Sequence, residues 1–151
     1  MGKISSDQEI LEFAISKENE ARNFFLALAS RVKDSQMREV FEDLAEEELE
    51  HKAKLELEIM KTGKTISTEQ PPARQVNDYI ITDSPSPLDI DYKDALLLGM
   101  EKEEASFRTY INLIPNVQNE RSREVLLALA QEEVKHKLRF ETEYNMLIKK
   151  T

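Results

Sequence analysis

Between Asp7 and Val32 the apolar residues Leu11, Ala14, Ile15, Ala21, Phe25 and Leu28 return every three or four positions, the period of one helical face. Three further stretches carry the same period: Ser35 to Met60 (Phe41, Leu44, Ala45, Leu55, Ile59), Tyr92 to Ile114 (Leu96, Gly99, Met100, Tyr110, Leu113) and Glu120 to Ile148 (Val125, Leu129, Ala130, Phe140, Tyr144). Each has a start signal. Ser6 stands three residues before Glu9 as a capping box, Asp34 and Ser35 open the second stretch, Asp91 the third with Asp94 behind it, and Asn119 the fourth. The pattern predicts four helices and an all-α fold.

The first and third connections are only a few residues long, around Lys33-Asp34 and around Pro115 to Asn119, so the helices on either side of each run antiparallel as a hairpin. Hairpin one covers about 7–60 and hairpin two about 92–148. Between them, residues of about 61–91 hold Pro71, Pro72, Pro85 and Pro87 and cannot be one helix. A connection of that length reaches along a helix of about 39 Å. It is expected to act as a long crossover that starts the third helix beside the start of the second, with Tyr79-Ile80-Ile81 pinning it to the bundle. The whole chain reads as one domain.

The hairpins are related to each other. A gapless shift of 85 positions lays Lys17-Glu18 on Lys102-Glu103, Arg38-Glu39-Val40 on Arg123-Glu124-Val125, Glu47-Glu48 on Glu132-Glu133 and His51-Lys52 on His136-Lys137. A bundle with a pseudo-two-fold axis follows, and whatever lies on the axis is built twice.

Polar residues interrupt each apolar stripe at matching places. Glu18 fills the gap in the first helix and Glu103 that in the third; Glu48 with His51, and Glu133 with His136, sit on the buried stripes of the second and fourth. Four carboxylates in an apolar core each cost several kcal/mol unless something positive compensates them. Two divalent cations bring +4 against their −4, and neutral imidazoles add nitrogen ligands without changing the balance. Glu and His three positions apart share one side of a helix and can grip one ion. The chain has only two His, and both stand in this relation. The neighbouring Glu46, Glu47, Glu50 and Glu132 read as solvated surface, with Glu47 and Glu132 open to a role as partners of the ligands. The repeated Lys17/Lys102 and Arg38/Arg123 read as surface or hairpin-end contacts.

Composition narrows the chemistry. The chain of 151 residues has no Cys, which removes disulfides, thiol catalysis, iron–sulfur clusters and rubredoxin-type iron, so a metal must rest on His and carboxylates. A net charge of −9 with no basic patch disfavours nucleic acid, and no apolar run is long enough to span a bilayer, so a cytoplasmic protein is expected.

A Glu from each of two helices with Glu-x-x-His from the other two is the constellation of ferritin-like di-iron bundles. The chain resembles the rubrerythrin branch of that superfamily over essentially its whole length: AISKENEARNFF and GMEKEEASFRTY look like its single-Glu helices, LAEEELEHKAKL and LAQEEVKHKLRF like its Glu-x-x-His helices, and VNDYIITDSPSPLDIDYKDAL like the linker of its short members. The resemblance implies a ferritin-like antiparallel four-helix bundle of two repeated hairpins, and two iron ions, with manganese or zinc also suited. It makes Glu18 and Glu103 terminal ligands, Glu48 and Glu133 bridging ligands, and His51 and His136 the nitrogen ligands. It further implies an oxidoreductase, a peroxidase or ferrous oxidase that reduces hydrogen peroxide or dioxygen. The alternative is a non-catalytic metal-binding or iron-handling protein; a storage cage is disfavoured because no fifth helix follows the fourth. Having no Cys-ligated rubredoxin domain, such a chain needs an external donor such as a separate rubredoxin. Ser106 stands where the family often has a further Glu, and Tyr110 takes the family's tyrosine position, where the repeat has Phe25. A homodimer is expected, with exchange of the Tyr92 to Ile148 hairpin as one form.

Overall fold

The computed structural model describes residues 6–61 and 90–149, which form four helices: α1 (Asp7–Arg31), α2 (Ser35–Lys61), α3 (Tyr92–Leu113) and α4 (Glu120–Lys149). The crossover and its Tyr79-Ile80-Ile81 patch lie outside the described residues. The helix starts are held by the expected side chains. Ser6 Oγ accepts from Glu9 N–H at 3.1 Å while Ser6 N–H donates to Glu9 Oε1 at 2.9 Å; Asp34 Oδ1 accepts from Gln36 and Met37; Asn119 Oδ1 accepts from Ser122. Asp91 precedes α3 without such a bond.

The helices α2 and α4 run one residue past their expected ends, to Lys61 and Lys149, and the other two stop one residue short for a local reason. Val32 is already extended and ends α1 at Arg31, and α3 stops at Leu113, giving way to a single 3-10 turn over Ile114–Asn116 where Pro115 has no N–H to continue the helix. The repeated arginines close both hairpins in the same way. Arg38 donates to the carbonyls of Val32 and Lys33, and Arg123 to those of Val117 and Gln118.

The hairpins pack with α1 against α3 and α2 against α4, giving an all-α four-helix bundle. Ile90 N–H donates to Arg31 O at 2.9 Å, which sets the start of α3 beside the end of α1 and therefore beside the start of α2. At the opposite end Asp7 accepts from both Gln118 N–H and Asn119 N–H at 2.8 Å. Helices α2 and α3 are thus parallel, as the crossover argument requires.

The core falls into two apolar clusters. One holds Phe25, Phe41, Phe140, Tyr92 and Leu96; the other holds Leu11, Ile15, Leu55, Ile59, Tyr110, Leu126 and Leu129. In the first, the Phe140 ring stacks on Phe41 at 5.8 Å and lies 5.9 Å from Phe25. Gly99 makes room for that ring: a Cβ there would meet it at 2.8 Å. On α4 it is Leu126, not Val125, that leads the fully buried stripe, because the helix turns Val125 toward the edge of the contact.

Candidate dimetal centre

The polar interruptions of the four stripes meet between helices inside the bundle. Glu18, Glu48, His51, Glu103, Glu133 and His136 are all buried, none more than 4% exposed. His51 Nδ1 lies 3.1 Å from Glu48 Oε1, 3.5 Å from Glu18 Oε2 and 3.8 Å from Glu133 Oε1; His136 Nδ1 lies 2.7 Å from Glu103 Oε2 and 3.4 Å from Glu133 Oε1. Besides a group that His51 and His136 form with the half-buried Glu132, the six residues themselves make two, Glu18–Glu48–His51–Glu133 and Glu103–Glu133–His136, in each of which one ligand atom per residue lies within 4.8 Å of the others. Glu133 belongs to both. The two imidazoles face each other across the pseudo-two-fold, 5.7 Å apart and within 4° of parallel.

These close approaches are poorly aligned as hydrogen bonds. Among the described residues, every buried side-chain nitrogen or oxygen without a hydrogen-bond partner belongs to these six side chains: Glu18 Oε1, both oxygens of Glu48, Glu103 and Glu133, and Nδ1 of each His. Buried polar atoms are normally paired, and a cluster of orphans is expensive. Atoms that converge without satisfying one another are what a cation would satisfy, and carboxylate with imidazole is a donor set that suits iron, manganese and zinc. The residues fit a metal pair.

The protonation of the metal-free cluster shows the same strain. Burial pushes the Glu103 carboxyl up to about 8, His136 pulling the other way. Glu48 is raised by burial and then by the charge of Glu133, and Glu133 by burial and then by the charge of Glu103. Burial pulls the His51 imidazole down, but Glu18 and Glu48 outweigh it and lift it to about 10; against the same opposition Glu103 and Glu133 lift His136 to about 12. Without metal, protons supply part of the missing positive charge.

The sequence model of the rubrerythrin family matches residues 9–144. The chain belongs to the rubrerythrin family. No curated protein matches it. Among solved structures this rubrerythrin-family chain is similar to a hypothetical protein from Pyrococcus furiosus, at 27% identity and a TM-score of 0.68, covering 95% of this chain and 91% of that one. It is also similar to a two-domain protein with DJ-1/ThiJ/PfpI-like and ferritin-like domains from Anabaena variabilis (11% identity, TM-score 0.73, 99% of this chain and 39% of that one). The manganese catalase KatB from Anabaena is a third (16% identity, TM-score 0.69, 97% and 77%). The last two likenesses establish the ferritin-like fold.

Several residues outside the six bear on the site. Tyr110, 2% exposed, donates its hydroxyl to Glu18 Oε2, while burial first and the Glu18 charge second hold its phenol well above the usual range, so it stays protonated. Glu47 reaches His136 Nε2 at 2.9 Å, so of the flanking acids it is the one in direct contact, whereas Glu46 and Glu50 are exposed as expected. Lys17 is partly exposed and Lys102 mostly buried, at 3.5 and 4.0 Å from Glu20, and both border a small cavity beside Glu18. Glu58 was not expected in the core. It is 4% exposed and accepts from Ser122 Oγ at 3.0 Å, and its place ten residues after Glu48, beside Ile59, is the only hint the sequence offers. Among the described residues no helix is long and apolar enough to cross a membrane.

Proposed function

We propose that this chain is a di-iron carboxylate oxidoreductase that reduces hydrogen peroxide or dioxygen with oxidation of Fe(II), and that Glu18, Glu48, His51, Glu103, Glu133 and His136 hold the two metals. The observation that carries the reading is the set of orphaned buried atoms that, among the described residues, falls on those six alone. When bound, a ferrous pair supplies the two electrons that, with two protons, convert one hydrogen peroxide into two waters. Glu133, common to both residue groups, suits a bridging ligand. The family resemblance adds Glu48 as the second bridge and Glu18 and Glu103 as terminal ligands.

The remaining residues keep the site dry and admit a small oxidant. The two apolar clusters cover it at either end. Between α1 and α3 a cavity of about 80 Å³, bordered by Glu18, Lys102, Ser106 and Tyr110, is large enough for a few water-sized molecules. Tyr110 orients Glu18 and carries a proton at the edge of that cavity. The chain contains no Cys to relay electrons, so the reading requires an external donor such as a separate rubredoxin. A homodimer is part of the proposal. The exposed Leu57 and Met60 on α2, and Leu127 and Leu138 on α4, support it, and a native mass measurement tests it.

The deciding experiment is anaerobic loading with Fe(II) followed by stopped-flow addition of peroxide. About two iron ions per chain, with rapid oxidation of the pair by one peroxide, is the expected result. Slow, non-stoichiometric oxidation of bound iron would leave a metal-binding protein without turnover. Failure to bind two ions would remove the paired site.

A further inference from the structure

We infer that Glu47 is a positioning residue for His136 and that it makes the two halves of the site unequal in metal affinity. This rests on the dimetal reading above. A carboxylate on one imidazole nitrogen fixes the N–H there, leaves the lone pair on the other nitrogen and makes that nitrogen a better ligand. Glu47 Oε1 lies 2.9 Å from His136 Nε2, while His136 Nδ1 points at Glu103 and Glu133. The geometry thus assigns Nε2 as the donor to Glu47 and Nδ1 as the metal-facing atom. Glu47 reaches in from the α2 surface, its side chain 36% exposed, with Arg139 3.8 Å away on its other oxygen.

The repeat supplies the comparison. The counterpart of Glu47 is Glu132, yet Glu132 does not hydrogen-bond His51. It is taken by Lys135 on its own helix, at 3.2 Å. The position that matches Lys135 in the first hairpin is Glu50, which cannot hold Glu47 and instead repels it. One charge difference therefore frees Glu47 to reach across the bundle and ties Glu132 down. His51 Nε2 is not among the fully buried orphaned atoms and makes no hydrogen bond to a described residue, although the Glu132 carboxylate lies within 4.8 Å of both imidazoles.

The test uses Zn(II), a diamagnetic probe, titrated against a competing chelator into the wild type and four variants, with nitrogen NMR of the two His as a second readout. The wild type is expected to bind two zinc ions unequally, with the His136 Nε2–H resolved and slow to exchange. Loss of an outer carboxylate partner weakens metal binding by about 10- to 100-fold, so Glu47→Ala should weaken the tighter ion by that factor and leave the weaker unchanged. Glu47→Gln should keep the tautomer but lose part of the affinity. Glu132→Ala, which removes a nearby charge but no hydrogen bond to an imidazole, should weaken binding far less than Glu47→Ala does, and Lys135→Glu should strengthen the weaker ion by releasing Glu132 toward His51. Two zinc ions in the wild type with no change in Glu47→Ala would overturn the inference; if that variant fails to fold, no gain in Lys135→Glu overturns it instead. No zinc binding in the wild type would overturn the dimetal reading itself.

Discussion

The Tyr110 hydroxyl bonds Glu18 Oε2 across the contact between α3 and α1, joining residues 92 positions apart. A hydrogen bond to a charged group is worth about 1.5 to 3 kcal/mol. Tyr110→Phe should therefore lower the unfolding free energy by about that amount, without collapse of the fold, since Phe25 occupies the repeat-related place with full burial. Urea unfolding of the two proteins checks it; equal midpoints and slopes would show that the bond contributes nothing.

Gly99 and Phe140 fit only as a pair. Overfilling a packed core costs about 1 to 3 kcal/mol, and Gly99→Ala places a methyl 2.8 Å from a ring flanked by Phe25 and Phe41. The repeat-related places hold Ala14 and Leu55, which share the other apolar cluster. Gly99→Ala combined with Phe140→Leu should thus cost less than the sum of the single changes, a coupling that a double-mutant cycle measures.

Glu58 and Ser122 form the same kind of unit between α2 and α4. Ser122→Ala leaves a carboxylate that is 4% exposed without its hydroxyl and should destabilise by about 1 to 3 kcal/mol. Adding Glu58→Leu removes the stranded charge and should recover most of the loss. Thermal melts of both variants decide the point.

The pH response should reverse with metal. In the metal-free chain the Glu103 carboxyl is raised from 4.5 to about 8 and the His51 imidazole from 6.5 to about 10, so the fold keeps protons that the unfolded chain releases. Stability is therefore fullest below pH 4.5 for the carboxyl and below 6.5 for the imidazole, and is lost as pH rises through about 8 and about 10, by at most about 1.4 kcal/mol per unit for each group. Metal binding requires those protons to leave, so the loaded protein should gain stability over the same rise, and chelator should lower its melting temperature most at the alkaline end. Parallel pH series of melts with and without chelator test this; slopes of the same sign would contradict it.

Much of this arrangement is legible in the residue pattern because it depends on periodicity. A buried Glu in an apolar stripe changes the face it sits on, so Glu18, Glu48, Glu103 and Glu133 stand out, and the 85-residue repeat doubles the signal. The capping residues act locally and read equally well. What escaped needs knowledge across helices. Val125 and Leu126 differ by one step around α4, and only the neighbouring helices decide which is covered. Glu58 looks like one more surface acid until Ser122 is found opposite it. The partner of Glu47 likewise depends on whether Lys135 or Glu50 stands one turn further on, in hairpins that match around the ligands.

That last contrast is open only to related halves joined in one chain. A hairpin that docked onto an identical copy of itself would place the same residue on both sides of the axis, so that any change made for one metal would be imposed on the other. Joined in one polypeptide, the duplicated halves are free to diverge. Glu50 against Lys135, Phe25 against Tyr110 and Leu55 against Phe140 are three places where they have done so, each beside the centre or the packing that supports it. A repeat carried within one chain gives the site two ends that substitution can alter separately.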